Sequence, residues 1–92
     1  MTAERRVRVI VRGRVQGVAF RAHTAEAAKR AAVAGWVRNR GDGAVEALFV
    51  GRSAAVETML DFVRRGPRFA RVDSVEELEA PAAPVSGFSI RV

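Results

Sequence analysis

The run Gly13-Arg14-Val15-Gln16-Gly17-Val18-Ala19-Phe20-Arg21 holds the residues whose types and spacing can do chemistry in this 92-residue chain. Two glycines let a short loop turn several backbone N–H groups to one side, and such a nest binds anions. A helix starting just after it adds unpaired donors and the positive end of its dipole, so a phosphate needs no other cation to begin with. Arg21 would then lie in the first turn and can reach back over the same spot with a two-pronged guanidinium. Spacing alone favours a tight turn followed by one solvated arginine of the fifteen in the chain. Asn39 is a second candidate. Its amide carries donors and an acceptor and can orient a water, or it can serve as a turn residue before Arg40-Gly41.

Other chemistry has little to build on. Cys is 0, which removes thiol nucleophiles, thiolate metal sites and disulfides and points to a reducing, cytoplasmic setting. His23 is the lone histidine and reads as a helix-surface or packing residue. No Asp, Glu and His grouping has ligand spacing for zinc or calcium, so no metal or other cofactor is expected. Sixteen basic against 10 acidic residues leave a net charge of +6, which favours an anionic partner. Nucleic acid, an acidic membrane face and phosphorylated metabolites all qualify on charge alone. Arg8 and Arg12 interrupt the first apolar stretch, so no signal peptide is read there, and no window approaches the ~20 apolar residues of a membrane span. With 49% hydrophobic and 28% charged residues, residues 1–92 are expected to form a single globular domain, and a monomer.

The elements that must position these residues follow from periodicity. Arg6 to Arg14 alternates, with Val7, Val9 and Val11 on one face, and reads as a half-buried strand. From Phe20 a helix is expected through Thr24, Ala27, Ala28 and Ala31, stopped by Gly35. Trp36–Asn39, the turn Gly41-Asp42-Gly43 and Val45–Val50 read as a hairpin. Ser53 is the expected N-cap of a second helix with Val56, Met59, Leu60 and Val63 on its apolar side, ended by Gly66-Pro67. Arg71–Leu78 reads as a strand with an irregularity, because Val72, Val75 and Leu78 break strict alternation. A loop follows from Ala80 to Gly87, then a last strand whose Phe88, Ile90 and Val92 form one apolar face.

That order predicts an α+β fold, the ferredoxin-like βαββαβ sandwich: a mainly antiparallel sheet with two helices on one face. In that topology the first two strands run parallel with the third between them. The Gly13–Gly17 loop and Asn39 therefore come together at one sheet edge. Phe20 and Trp36 are expected to pack beneath them. Arg8, Arg12 and Arg14 share a strand parity that fits a solvated face or a field steering a dianion.

The Gly13–Arg21 run resembles the signature of the acylphosphatase family. Gly35-Trp36-Val37-Arg38-Asn39, followed by Asp42-Gly43 and Val45-Glu46, resembles its second motif. The likeness continues through Gly66-Pro67, Ala70-Arg71-Val72 and Gly87-Phe88-Ser89-Ile90, nearly the whole chain. It implies a metal-independent hydrolase that splits small acyl phosphates into a carboxylate and inorganic phosphate by direct attack of water. It also implies residue roles. The backbone of Val15, Gln16, Gly17, Val18, Ala19 and Phe20 cradles the phosphate, Arg21 lies against it, and Asn39 holds the attacking water. Neither metal, nucleotide nor covalent intermediate is implied. Two departures stand out: Ala31-Ala32-Val33 replaces a common Leu-Gly-Leu-like segment, and Arg40 follows Asn39 where Thr is frequent.

Two rivals share the topology. An RRM-like RNA-binding module needs aromatics on its exposed third strand, and Val45-Glu46-Ala47-Leu48-Phe49 offers one, so no nucleic-acid partner is expected. A catalytically silent interaction domain would have no use for both Arg21 and Asn39.

Overall fold

The computed structural model describes residues 4–92. Alternation along β1 (Glu4–Arg14) sends Val7, Val9 and Val11 under the helices, where all three are buried. Helix α1 (Phe20–Arg30) buries Phe20, Thr24, Ala25 and Ala28, a stripe at helical spacing. Next come β2 (Ala34–Asn39), β3 (Val45–Arg52), α2 (Ser53–Arg65), β4 (Arg71–Leu78) and β5 (Phe88–Arg91). Val56, Met59, Leu60 and Val63 of α2 close the core from the same side as α1.

The sheet order is β4-β1-β3-β2-β5. Neighbours are antiparallel except β2 and β5, which run parallel. Both β1 and β2 are antiparallel to the β3 between them, so their C-terminal ends meet at one edge. This is the expected ferredoxin-like sandwich with a fifth, edge strand. The irregularity in β4 is a bulge: Gly13 opposes Val72 and Arg12 opposes Ser74, leaving Asp73 unpaired. That extra residue puts Val72 and Val75 on one face despite their odd spacing.

Three local expectations need correction. Gly35 does not stop α1. The left-handed residue is Ala32 (φ 58), with Ala32 N–H donating to Lys29 O and Val33 N–H to Ala28 O, a Schellman closure. Gly35 lies inside β2, where a Cβ would fall 1.8 Å from the Leu48 carbonyl oxygen, so it is needed for close strand approach. Ser53 makes no cap hydrogen bond, because β3 runs directly into α2 and Arg52 occupies the N-cap position.

The third concerns Trp36, which packs on the sheet face away from the helices. There it joins Leu48 and Val50 under Ala80 and Val85 of the β4–β5 connection. Arg6 pins that connection, its Nη2 donating to Pro81 O at 2.9 Å. Phe20 does lie in the core beneath the loop.

Candidate active site

The first loop leaves β1 at Arg14 and enters α1 at Phe20. Gly17 (φ 76) and Ala19 (φ 59) have positive φ while Val15, Gln16 and Val18 between and before them do not. This alternation turns successive N–H groups toward one side. Among the described residues, no N–H from Val15 to Phe20 donates to a backbone carbonyl. Ala19 is the N-cap and offers no side-chain acceptor, so the amides at the helix start also stay free.

A cavity of about 220 Å³ opens against this loop, lined by Val15, Gly17, Ala19, Phe20, Arg21, Ala22, Asn39 and Ile90. Arg21 contributes its only charge, and no described carboxylate pairs with it. Asn39 ends β2 opposite Val45. Its Oδ1 is buried and has no hydrogen-bond partner among the described residues. A buried amide oxygen left so is rare in folded proteins and marks a place where a water or ligand completes the bonding. The cavity thus gathers free donors, one free guanidinium and one free acceptor.

Gln16 and Val18 are the two expected site residues that do not line it. Val18 packs partly buried against the core. The Gln16 side chain turns to the β2–β3 hairpin, where Nε2 donates to Arg40 O at 2.8 Å and to Ala44 O at 2.9 Å. It therefore ties the β1–α1 loop to the strand end that carries Asn39.

Asp42 fixes the same hairpin. The Ala44 N–H donates to its Oδ1 at 3.1 Å, and the Arg40 and Arg12 guanidinium groups approach at 3.3 and 3.2 Å. These contacts, the Ala44 amide first, hold its carboxyl from the ordinary 3.8 down to about 2. Arg40 is thereby drawn to Asp42 and away from the cavity. His23 is exposed and does not line it.

The other strand arginines are engaged elsewhere. Arg8 and Arg38 bind the buried Glu46 carboxylate on the far face of the sheet, Arg8 Nη1 at 2.7 Å and Arg38 Nε at 2.8 Å. Burial pushes that carboxyl up, but the two guanidinium hydrogen bonds outweigh it and hold it below its usual range. The larger hollow, about 820 Å³, lies on that face beside Arg8, Trp36, Arg38 and Arg91, remote from Arg21 and Asn39. Arg91 stacks over Trp36, 4.8 Å from the ring centroid.

Two lining residues, Ala22 and Ile90, escaped the sequence reading. Ile90 shares the expected apolar face with Phe88 and Val92, yet it is 49% exposed, because β5 is an edge strand and only its Phe88 reaches the interior. Among the described residues no group of three His, Asp or Glu side chains could hold a metal ion, and no helix is long and apolar enough to cross a membrane.

Architecture and cavity together define a small ferredoxin-like domain with unpaired backbone donors, an arginine and a buried amide oxygen around one cavity. The acylphosphatase family model matches residues 7–90, and the chain belongs to that family. It is 51% identical over 88 residues to an acylphosphatase of Rubrobacter xylanophilus, covering 95% of this chain and 80% of the relative. Among solved structures, an acylphosphatase from Coxiella burnetii superposes with a TM-score of 0.89 at 32% identity, covering 96% of this chain and 93% of that one. The Bacillus subtilis acylphosphatase gives a TM-score of 0.84 at 38% identity, covering 98% and 100%.

Proposed function

We propose that the cavity is where this acylphosphatase-family enzyme hydrolyses the carboxyl–phosphate bond of small acyl phosphates. The observation that carries this reading is the convergence of unpaired loop amides, the unpaired Arg21 guanidinium and the orphaned Asn39 Oδ1 on one small cavity.

The amides from Val15 to Phe20 take the non-bridging phosphoryl oxygens, and Arg21 adds a charge-assisted fork. Phosphoryl transfer passes through a loose transition state with charge spread over those oxygens, so positioning and charge stabilisation do most of the work. Asn39 accepts a hydrogen bond from a water and orients it toward phosphorus. The water oxygen bonds to phosphorus as the phosphorus–acyl oxygen bond breaks. The electron pair leaves with the carboxylate, and the surplus proton stays with the phosphate product or passes to solvent. A carboxylate has a conjugate-acid pKa of about 4, so it departs without being protonated and no general acid is needed. A cavity without a histidine or carboxylate fits that chemistry.

The test is phosphate release from acetyl phosphate and benzoyl phosphate by the purified chain. Arg21→Ala is expected to lower kcat/KM by about 10²–10³-fold, the usual cost of losing one oxyanion donor. Asn39→Ala is expected to lower kcat by about 10²-fold with KM little changed. Absence of turnover in the wild type, or full activity in both variants, overturns the reading. Salt-sensitive RNA retention without turnover would favour an RNA-binding module instead. The one aromatic of β3, Phe49, is buried on the helix side and cannot stack on a base as the fold stands.

A further inference from the structure

We propose that Ile90 forms an apolar seat for the acyl group, so that the favoured substrates carry a flat or branched apolar acyl chain. This rests on the reading of the cavity as a site for acyl phosphates. Four observations lead to it.

The cavity is larger than a phosphate needs: about 220 Å³ is the space of roughly seven waters at ~30 Å³ each, against the five heavy atoms of a phosphate group. Part of it is therefore left for the acyl group.

Next, the cavity has an inside and a rim. Asn39 Oδ1 is buried, whereas Ile90 is 49% exposed. Attacking and leaving oxygens lie roughly in line across phosphorus. A water held at the buried amide therefore directs the acyl group outward, toward the rim where Ile90 stands.

Third, Ile90 has no cover of its own. It pairs with Val37 of β2 on one side, and no further strand follows β5 in the sheet. Of the three large apolar side chains that are exposed among the described residues, Phe69, Ile90 and Val92, only Ile90 lines this cavity.

Fourth, the remaining lining suits a neutral group. Beyond Arg21, which the phosphate occupies, no lining residue carries charge, and Ala19 and Ala22 add small apolar surface. A charged acyl tail would lose hydration here and gain no partner.

The experiment is a specificity ratio: kcat/KM for benzoyl phosphate divided by kcat/KM for acetyl phosphate, which cancels general losses in folding or phosphate binding. Ile90→Ala is expected to lower the ratio roughly five- to tenfold, chiefly through KM for benzoyl phosphate. Ile90→Met, which restores apolar volume, is expected to bring the ratio back to within twofold of wild type. A ratio unchanged in Ile90→Ala, while both substrates are still hydrolysed, overturns the seat and leaves the site's reading standing. A wild type that turns over neither substrate overturns both.

Discussion

Replacing Gln16 with methionine, a side chain of similar length that cannot donate, tests whether the proposed anion loop and the Asn39 strand end are held in register by one side chain. The structure gives the size of the effect. Two partly buried hydrogen bonds, 2.8 and 2.9 Å, run from Nε2 to Arg40 O and Ala44 O. Each contributes about 1 kcal/mol net, so their loss costs about 2 kcal/mol. Neither carbonyl is orphaned: Arg40 O keeps the Gly43 N–H at 3.3 Å and Ala44 O keeps the Arg40 N–H at 2.8 Å, so no unsatisfied-acceptor penalty is added. In a domain of this size about 2 kcal/mol lowers Tm by roughly 8–16 °C.

Activity should fall further than stability explains. Loop and hairpin meet at the cavity from different elements, and a misplacement of ~1 Å between reacting groups costs about 10²-fold. The assay pairs a thermal melt with kcat/KM on acetyl phosphate, taken at a temperature where both melts show folded protein. A large fall in kcat/KM from a protein that remains folded at the assay temperature supports the coupling. If Tm falls as expected while kcat/KM stays within about threefold of wild type, Gln16 is a stability residue only and the reasoning fails. Unchanged Tm would mean that the two bonds contribute nothing.

Other outcomes follow from the same geometry. Ala32 sits at φ 58 in an exposed Schellman position, so Ala32→Gly is expected to raise Tm by about 4–8 °C for each kcal/mol of relieved strain, about 1 kcal/mol here. Gly35→Ala should do the opposite, by more than ~2 kcal/mol in denaturant unfolding, since its Cβ would lie 1.8 Å from the Leu48 carbonyl oxygen. Asp42 has a folded-state carboxyl pKa lowered from 3.8 to about 2, so its stabilising share is whole above about pH 4 and is lost as pH falls through 2. Asp42→Asn is therefore expected to melt below wild type at pH 7, with the gap closing toward pH 2; a gap independent of pH would refute the assignment.

Short-range patterns carried most of the architecture. The valine alternation of β1 and the Val56, Met59, Leu60, Val63 stripe of α2 depend only on residues nearby in sequence, and both lie buried as read. The loop motif was legible for the same reason, since its glycines and Arg21 are contiguous. Long-range pairing hid the rest. The apolar face of Phe88, Ile90 and Val92 gave no sign that Ile90 is exposed, because period-two patterning cannot say whether a strand is central or at the edge. Gln16 gave no sign of its hairpin partners, which are 24 and 28 residues away. Trp36 is different, because parity did hold the answer. It is three residues before Asn39, so a strand must place the two on opposite faces, and the Asn39 face of β2 is shared by Gly35 and Val37.

Ala19 shows how the proposed site leaves two ordinary stabilising choices unmade. A helix start is ordinarily capped by Ser, Thr, Asp or Asn, at a gain of about 1 kcal/mol, and a left-handed position ordinarily goes to glycine. At residue 19 neither choice is made: the N-cap is an alanine with φ 59 and no capping bond. An aspartate there would offer its carboxylate to the very amides that face the cavity and would repel an incoming phosphate from the same spot. A serine would satisfy one of those amides and compete with the ligand less strongly. An alanine leaves them all unspent, at the cost of a cap and some backbone strain. The same logic covers Arg21 and the Asn39 amide oxygen, each left without a partner among the described residues, whereas Arg8 and Arg38 on the far face share the Glu46 carboxylate. Groups left unpaired around one small cavity are what the proposed anion site requires: its donors must be fixed in place before the ligand arrives and bound to nothing until it does.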